Sequence, residues 1–119
     1  MPESAYKFSF DAVYYHVKDM ERAMQFYQRI LGFPLQSRDY VARFTVDGVL
    51  FELVPLHNGD VVAGPGNARL SLRVANIDDA VRYLESRDVK ATAPKQEIGG
   101  KISLFHDPDG NELCLWQAT

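Results

Sequence analysis

The feature that most limits what this chain can fold into is a repeat inside it. Laid over each other without a gap, AVYYHVKDMERAMQFY (12–27) and RLSLRVANIDDAVRYL (69–84) set Val17 on Val74, Asp19 on Asn76, Ala23 on Ala80 and Phe26 on Tyr83. The offset is about 57 residues, the length of one supersecondary unit that cannot bury its apolar face without a neighbour. The fold therefore has to be read as two copies of one unit packed together.

Each copy spells the same order of elements. In the first, residues 12–17 are β-branched, aromatic or small. Asp19 then offers an N-cap ahead of Met20, Ala23, Met24, Tyr27, Ile30 and Leu31, an apolar stripe at helical spacing that Gly32 is placed to end. PLQSRD reads as a short edge strand, and YVARFTV and VLFELVP form a hairpin across Asp47-Gly48. In the second copy RLSLRV is a strand, and Asn76 or Asp78 caps a helix carrying Ile77, Ala80, Val81 and Leu84. VKATAP is a short strand, and KISLFH and ELCLWQ pair around the turn DPDGN. Between the copies runs HNGDVVAGPGNA, a Gly-rich polar loop. The expectation is an α+β fold of one domain, residues 1–119, with two βαβββ modules at about 8–57 and 68–119. Each helix covers one face of its own sheet, and the other faces form an incomplete barrel with a concave cleft for a ligand.

Composition fits such a domain and excludes other classes. Of 119 residues 46% are hydrophobic and 24% charged, too apolar for disorder, and a net charge of −3 spread along the chain offers no footprint for nucleic acid or anionic lipid. Cys114 is the single cysteine, so no internal disulfide forms, and a reducing cytoplasm is the expected compartment. No stretch has the apolar length of a signal peptide or a membrane span, so export and anchoring are not expected.

Strand periodicity sorts the side chains. Leu70, Leu72 and Val74 are uniformly apolar, which turns Arg69, Ser71 and Arg73 toward the cleft and, in the first copy, Ala12, Tyr14 and His16. Glu52 shares its face with Leu50 and Val54, and Cys114 with Glu112 and Trp116.

Three stretches, VKDMERAMQFYQRILGF, LFEL and DPDGNELCLWQ, make the chain resemble the vicinal oxygen chelate superfamily, the group of glyoxalases, bleomycin resistance proteins and dioxygenases. The resemblance spans about residues 8–117 and implies the fold more than the activity. In metal-dependent members it implies four ligand positions. These fall here on Ala12, seven residues ahead of Asp19, on Arg69, seven ahead of Asn76, and on Glu52 and Cys114 in the last strands. Alanine has no donor atom and arginine is a fixed cation, so no metal cofactor is expected. The resemblance also implies a homodimer, in which a cleft can combine the first module of one chain with the second of its partner.

His16 lies about 13 Å along the strand from the ligand position and cannot replace it. Two readings stay open for it, a polar contact at the cleft mouth and a surface histidine at a strand end. His106, beside the turn, and His57, in the loop, read as surface residues. Glu52, on a strand expected to be buried, has two readings: an ion pair with Arg69 that fills the space of the metal, or a carboxylate left over from a metal-binding ancestor that reaches water. Cys114 reads as an inert buried thiol. Tyr14 and Trp116 can stack on a ligand, whereas Phe51, Met20 and Met24 belong to the core. Tyr14, His16, Glu52, Arg69, Ser71, Arg73, Cys114 and Trp116 thus make up the candidate ligand-binding set.

Three functions are compatible with this sequence. The first is metal-free binding of a partly aromatic small molecule. The second is a glyoxalase-like lyase, isomerase or dioxygenase with an altered site. The third is a metal-free acid–base catalyst using Glu52, the one catalytic candidate.

Overall fold

The structure is a computed structural model, and it describes residues 11–56 and 69–119. Strand β1 (Val13–Val17) leads into helix α1 (Met20–Met24), whose N-cap Asp19 accepts a hydrogen bond from the Arg22 amide. The helix then widens into a π-helical segment over Gln25–Ile30, with the Leu31 amide donating to the Phe26 carbonyl at 3.0 Å. Gly32, at φ +73, closes it as its position suggests. Strands β2 (Leu35–Arg38), β3 (Ala42–Val46) and β4 (Val49–Pro55) follow. Both residues of the β3–β4 turn, Asp47 (φ 51) and Gly48 (φ 79), have positive φ, the geometry of the two-residue hairpin that Asp-Gly favours.

The second module repeats the order: β5 (Leu70–Arg73), α2 (Ile77–Ser86) capped by the Asn76 side chain, β6 (Lys95–Glu97), β7 (Gly100–His106) and β8 (Glu112–Ala118). One element is displaced from its expected place. The short strand read at Val89–Pro94 lies instead at Lys95–Glu97. Pro94 has no amide to donate, so a ladder can begin after it but not run through it. Thr92 reaches β7 by other means, its hydroxyl accepting from the Leu104 amide and its carbonyl from the Ser103 hydroxyl.

Each module forms a four-stranded sheet, ordered β1-β4-β3-β2 and β5-β8-β7-β6, with the first strand of each parallel to the last. The result is the expected α+β fold of two βαβββ modules, its barrel not closed. The expected ends of the modules, the connecting loop and His57 lie outside the described residues.

The core joins the modules through their helix-side faces. Val17, Phe44, Phe51 and Leu53 from the first sheet, Phe105, Leu113 and Leu115 from the second, and Phe26, Tyr27, Ile77 and Leu84 from the helices belong to one buried cluster. Phe51 is 2% exposed and meets Tyr27 at 5.0 Å between ring centroids, while Phe26 reaches across to Phe105 at 6.4 Å. Polar bonds secure the same junction. Tyr15 donates its hydroxyl proton to the Glu112 carbonyl and accepts from the Leu70 amide. Tyr27 donates to the buried Asp107 carboxylate at 2.8 Å. That carboxylate also accepts from the amides of Asp109 and Asn111 and from the Asn111 side chain, so the DPDGN turn is held as a unit against α1. Burial, and the Asp107 charge at Tyr27, push both phenols above the usual tyrosine range.

Candidate functional site

The faces of the sheets opposite the helices carry the polar side chains that periodicity assigned to the cleft, and register arranges them in rows across the strands. In module 1, Tyr14 on β1 lies opposite Glu52 on β4, which lies opposite Arg43 on β3. The Arg43 Nε is 3.3 Å from a Glu52 carboxylate oxygen, and its Nη1 is 3.0 Å from Asp39. Hydrogen bonding to Asp39 holds the guanidinium above its ordinary pKa. The backbone amide of Val41, and then Arg43, hold the Asp39 carboxyl below the usual range. Tyr14 is 55% exposed and meets the His16 ring edge-on at 5.5 Å, while the His16 carbonyl accepts from Asn111 of the second module.

In module 2 the charged row falls two residues earlier along the last strand. Glu112 sits between Arg69, just ahead of β5, and His106 on β7: Arg69 Nη2 is 2.7 Å from one of its oxygens and His106 Nε2 is 3.5 Å from the other. The Glu112 side chain is only 14% exposed, so this carboxylate needs its partners. The next row on the same face is Ser71, Cys114 and Leu104, and the one after it Arg73, Trp116 and Ile102. Cys114 is a free, buried thiol, 4% exposed.

The structure does not bring Glu52 and Arg69 together within the chain. Glu52 is answered by Arg43, which the register places directly across the β3–β4 pair, and Arg69, one residue ahead of the β5–β8 ladder, is answered by Glu112. Nor does any ion pair, hydrogen bond or ring contact among the described residues join side chains of the two open faces to each other. The modules touch through their helix sides and turns. The residues that sequence reasoning missed are Arg43 and Glu112, together with the contact that ties His106 to them. Arg43 could have been found by counting outward from Asp47-Gly48, since a two-residue turn fixes which residues face each other. Glu112 is placed by periodicity on the face of Cys114 and Trp116, but its pairing with Arg69 and His106 was not expected.

At the four positions where metal-dependent relatives place ligands, this chain has a methyl group, a guanidinium already bonded to Glu112, a carboxylate bonded to Arg43, and a buried thiol. As a donor set they do not suit a divalent cation. Among the described residues no three His, Cys, Asp or Glu side chains gather in one place.

A cavity of about 690 Å³ lies on the other, helix-side, surface of the sheets, where the modules meet. Val13, Phe33, Phe51, Leu72, Tyr83 and Leu84 are among its apolar walls, and Ser71 and Arg73 border it on β5. Tyr83 spans the junction, donating its hydroxyl proton to the Ile30 carbonyl at 2.7 Å.

Residues 9–115 match the family model of the Glyoxalase/Bleomycin resistance protein/Dioxygenase superfamily. The chain belongs to this superfamily. Among solved structures it is similar to TnmS3, an antibiotic binding protein from Streptomyces sp. CB03234, with 26% identity, 96% of this chain and 100% of that one covered, and a TM-score of 0.70. It is also similar to the integron cassette protein HFX_CASS4 from the mobile metagenome of the Halifax Harbour sewage outfall, with 24% identity, 92% and 97% covered, and a TM-score of 0.76. The fosfomycin resistance protein FosX from Listeria monocytogenes shares the fold at a TM-score of 0.79, with 15% identity and 96% of each chain covered. No curated protein matches it. Like the superfamily itself, these relatives fix the architecture and leave the chemistry to the individual site. Among the described residues no helix is long and apolar enough to cross a membrane.

Proposed function

We propose that this superfamily member binds a partly aromatic small molecule on its open sheet faces without a resident metal. One observation carries the reading: Arg69, at a ligand position, is ion-paired to Glu112 at 2.7 Å, so a fixed cation occupies the place where a metal would need a donor. The aromatic surface a binder needs is present in Tyr14, His16 and Trp116 on the same faces, and the likeness to an antibiotic binding protein over the full chain supports binding over turnover. Because no side-chain contact among the described residues joins the two open faces, we infer that the complete cleft is assembled in a homodimer, module 1 of one copy facing module 2 of the other. Thermal shift against a panel of aromatic compounds, with and without a chelator, tests the reading. A ligand present at about 100 times its Kd stabilises the fold by about 2.7 kcal/mol. Stabilisation that is indifferent to chelator is the expected result, and stabilisation that vanishes with chelator contradicts it.

A second reading, proton transfer, is favoured by a different contact from the one sequence reasoning chose. Glu112, fixed by Arg69 on one oxygen, faces the His106 Nε2 with the other, which is how a carboxylate orients an imidazole base. Glu52 lacks such a neighbour. Turnover lost in both His106→Gln and Glu112→Gln but kept in Glu52→Gln supports this reading, and turnover kept in all three refutes it.

A further inference from the structure

The third row of the module 2 open face holds a cation that has no partner among the described residues. Arg73 on β5 lies directly opposite Trp116 on β8, which lies opposite Ile102 on β7, which lies opposite Lys95 on β6. The row therefore has a cation at each end and an indole and an isoleucine between them. Arg43 and Arg69 each face a carboxylate, and Lys95 has Glu97 at 3.8 Å. The Arg73 guanidinium has no acid, carbonyl or ring partner among the described residues, and it is exposed. Trp116 is partly exposed, and among the described residues it has no ring or hydrogen-bond partner, so its N–H donor is unpaired there.

The indole is nonetheless held in place. It lies against the backbone of the β6–β7 hairpin, where a Cβ on Gly100 would come within 2.7 Å of the ring and 2.3 Å of the Gln117 carbonyl, and a Cβ on Gly99 within 3.9 Å of the ring. Two glycines thus make room for the indole against the backbone, and a ring packed in this way loses less freedom when a ligand binds. The two carboxylates on this face are both engaged, Glu112, four residues away along β8, by Arg69 and Glu97, on β6, by Lys95.

From this row we infer the chemical class of the ligand: a planar aromatic compound bearing a carboxylate or similar monoanion, its ring on Trp116 and its anionic group on the Arg73 guanidinium. The inference rests on the small-molecule-binding reading above and narrows it. A guanidinium offers a carboxylate two parallel N–H donors, and the indole face accepts the ring by offset stacking. The Ser71 hydroxyl, one residue removed from Arg73 on the same side of β5, adds a donor for a ring substituent.

Trp116 is the only tryptophan of the chain, so its indole N–H gives a single cross-peak in a ¹⁵N correlation spectrum. Cinnamate and the neutral cinnamamide are the probes, titrated against the intact protein, Arg73→Gln, and Arg29→Gln as a control at a surface arginine away from this face. The expected result is a saturable shift of the indole peak by cinnamate, at least tenfold weaker binding of cinnamamide, and at least a tenfold loss of cinnamate affinity in Arg73→Gln alone. Equal affinity for acid and amide, or an Arg73→Gln variant that binds cinnamate as the parent does, overturns the anion assignment while leaving the aromatic binder intact. An indole peak unmoved by either probe overturns the Trp116 site, and if no aromatic compound raises the melting temperature, the wider reading falls with it.

Discussion

At two positions where module 1 carries tyrosines, Tyr15 and Tyr27, the aligned positions of module 2 carry leucines, Leu72 and Leu84. Both tyrosines turn to the helix side and tie their module to the other, Tyr15 through Glu112 and Leu70 and Tyr27 through Asp107. The leucines help wall the cavity at the same junction. On the open faces the asymmetry runs the other way. Module 1 presents one charged row, Tyr14–Glu52–Arg43, whereas module 2 presents Arg69–Glu112–His106 and then the row in which Arg73, beside Trp116, has no partner among the described residues. The two copies of the unit thus differ: module 1 supplies the tyrosines that bolt the fold onto the turn and strands of module 2, and on the reading proposed above module 2 supplies most of the ligand chemistry.

That division can be broken at its strongest point first. Asp107→Ala leaves the Tyr27 hydroxyl and the Asn111 amide without their acceptor in a buried turn, and should cost about 3 kcal/mol in urea denaturation. Asp47→Ala, at the hairpin turn of module 1, meets only the left-handed backbone penalty of about 1 kcal/mol. Equal losses would show that the turn of module 2 is not the anchor described here.

Alkaline pH attacks the same junction. Tyr15 and Tyr27 titrate above their unfolded range, so below pH about 10 their contribution is complete. Above it the unfolded chain gives up protons that the folded chain keeps, and stability falls as pH rises. Tyr27→Phe, though less stable at neutral pH, should show a shallower alkaline decline in melting temperature. An unchanged slope would mean that the phenols are not the groups responsible.

A smaller contrast separates the two carboxylates. Glu112→Gln leaves Arg69 with no second acid and should destabilise by about 1 kcal/mol, a modest figure because Arg69 is partly in solvent. Glu52→Gln should do less, since Arg43 keeps Asp39. The reverse order in thermal melts would place the more demanding ion pair in module 1. Smallest of all, His16→Gln and Arg73→Gln, at equivalent places in the two modules, should each change stability by under about 0.5 kcal/mol. A larger loss for Arg73→Gln would give it a structural partner and remove it from the ligand site.

How much of this was legible in the sequence depends on the range of the interaction. The repeat, both N-caps, the Asp47-Gly48 turn and the alternation of faces are local, and each is found where periodicity and capping chemistry place it. The partners of Glu52 and Arg69 are not local. Arg43 follows from the two-residue hairpin, but Arg69 meets Glu112 across a parallel pair brought together by a helical crossover, and no turn encodes that register. The strand misplaced by a few residues around Pro94 shows the opposite failure, a β-prone composition overruled by one missing amide. The seat of Trp116 against Gly99 and Gly100 is likewise a relation visible only once β7 and β8 are paired.

The central claim is that paired charges stand where relatives hold a metal, and the most direct test is elemental analysis of protein purified without chelator. The account predicts no divalent or transition metal above the buffer background, and a melting temperature unaffected by a chelator. Stoichiometric zinc, nickel, manganese or iron, with a melting temperature that falls when it is stripped, would contradict it.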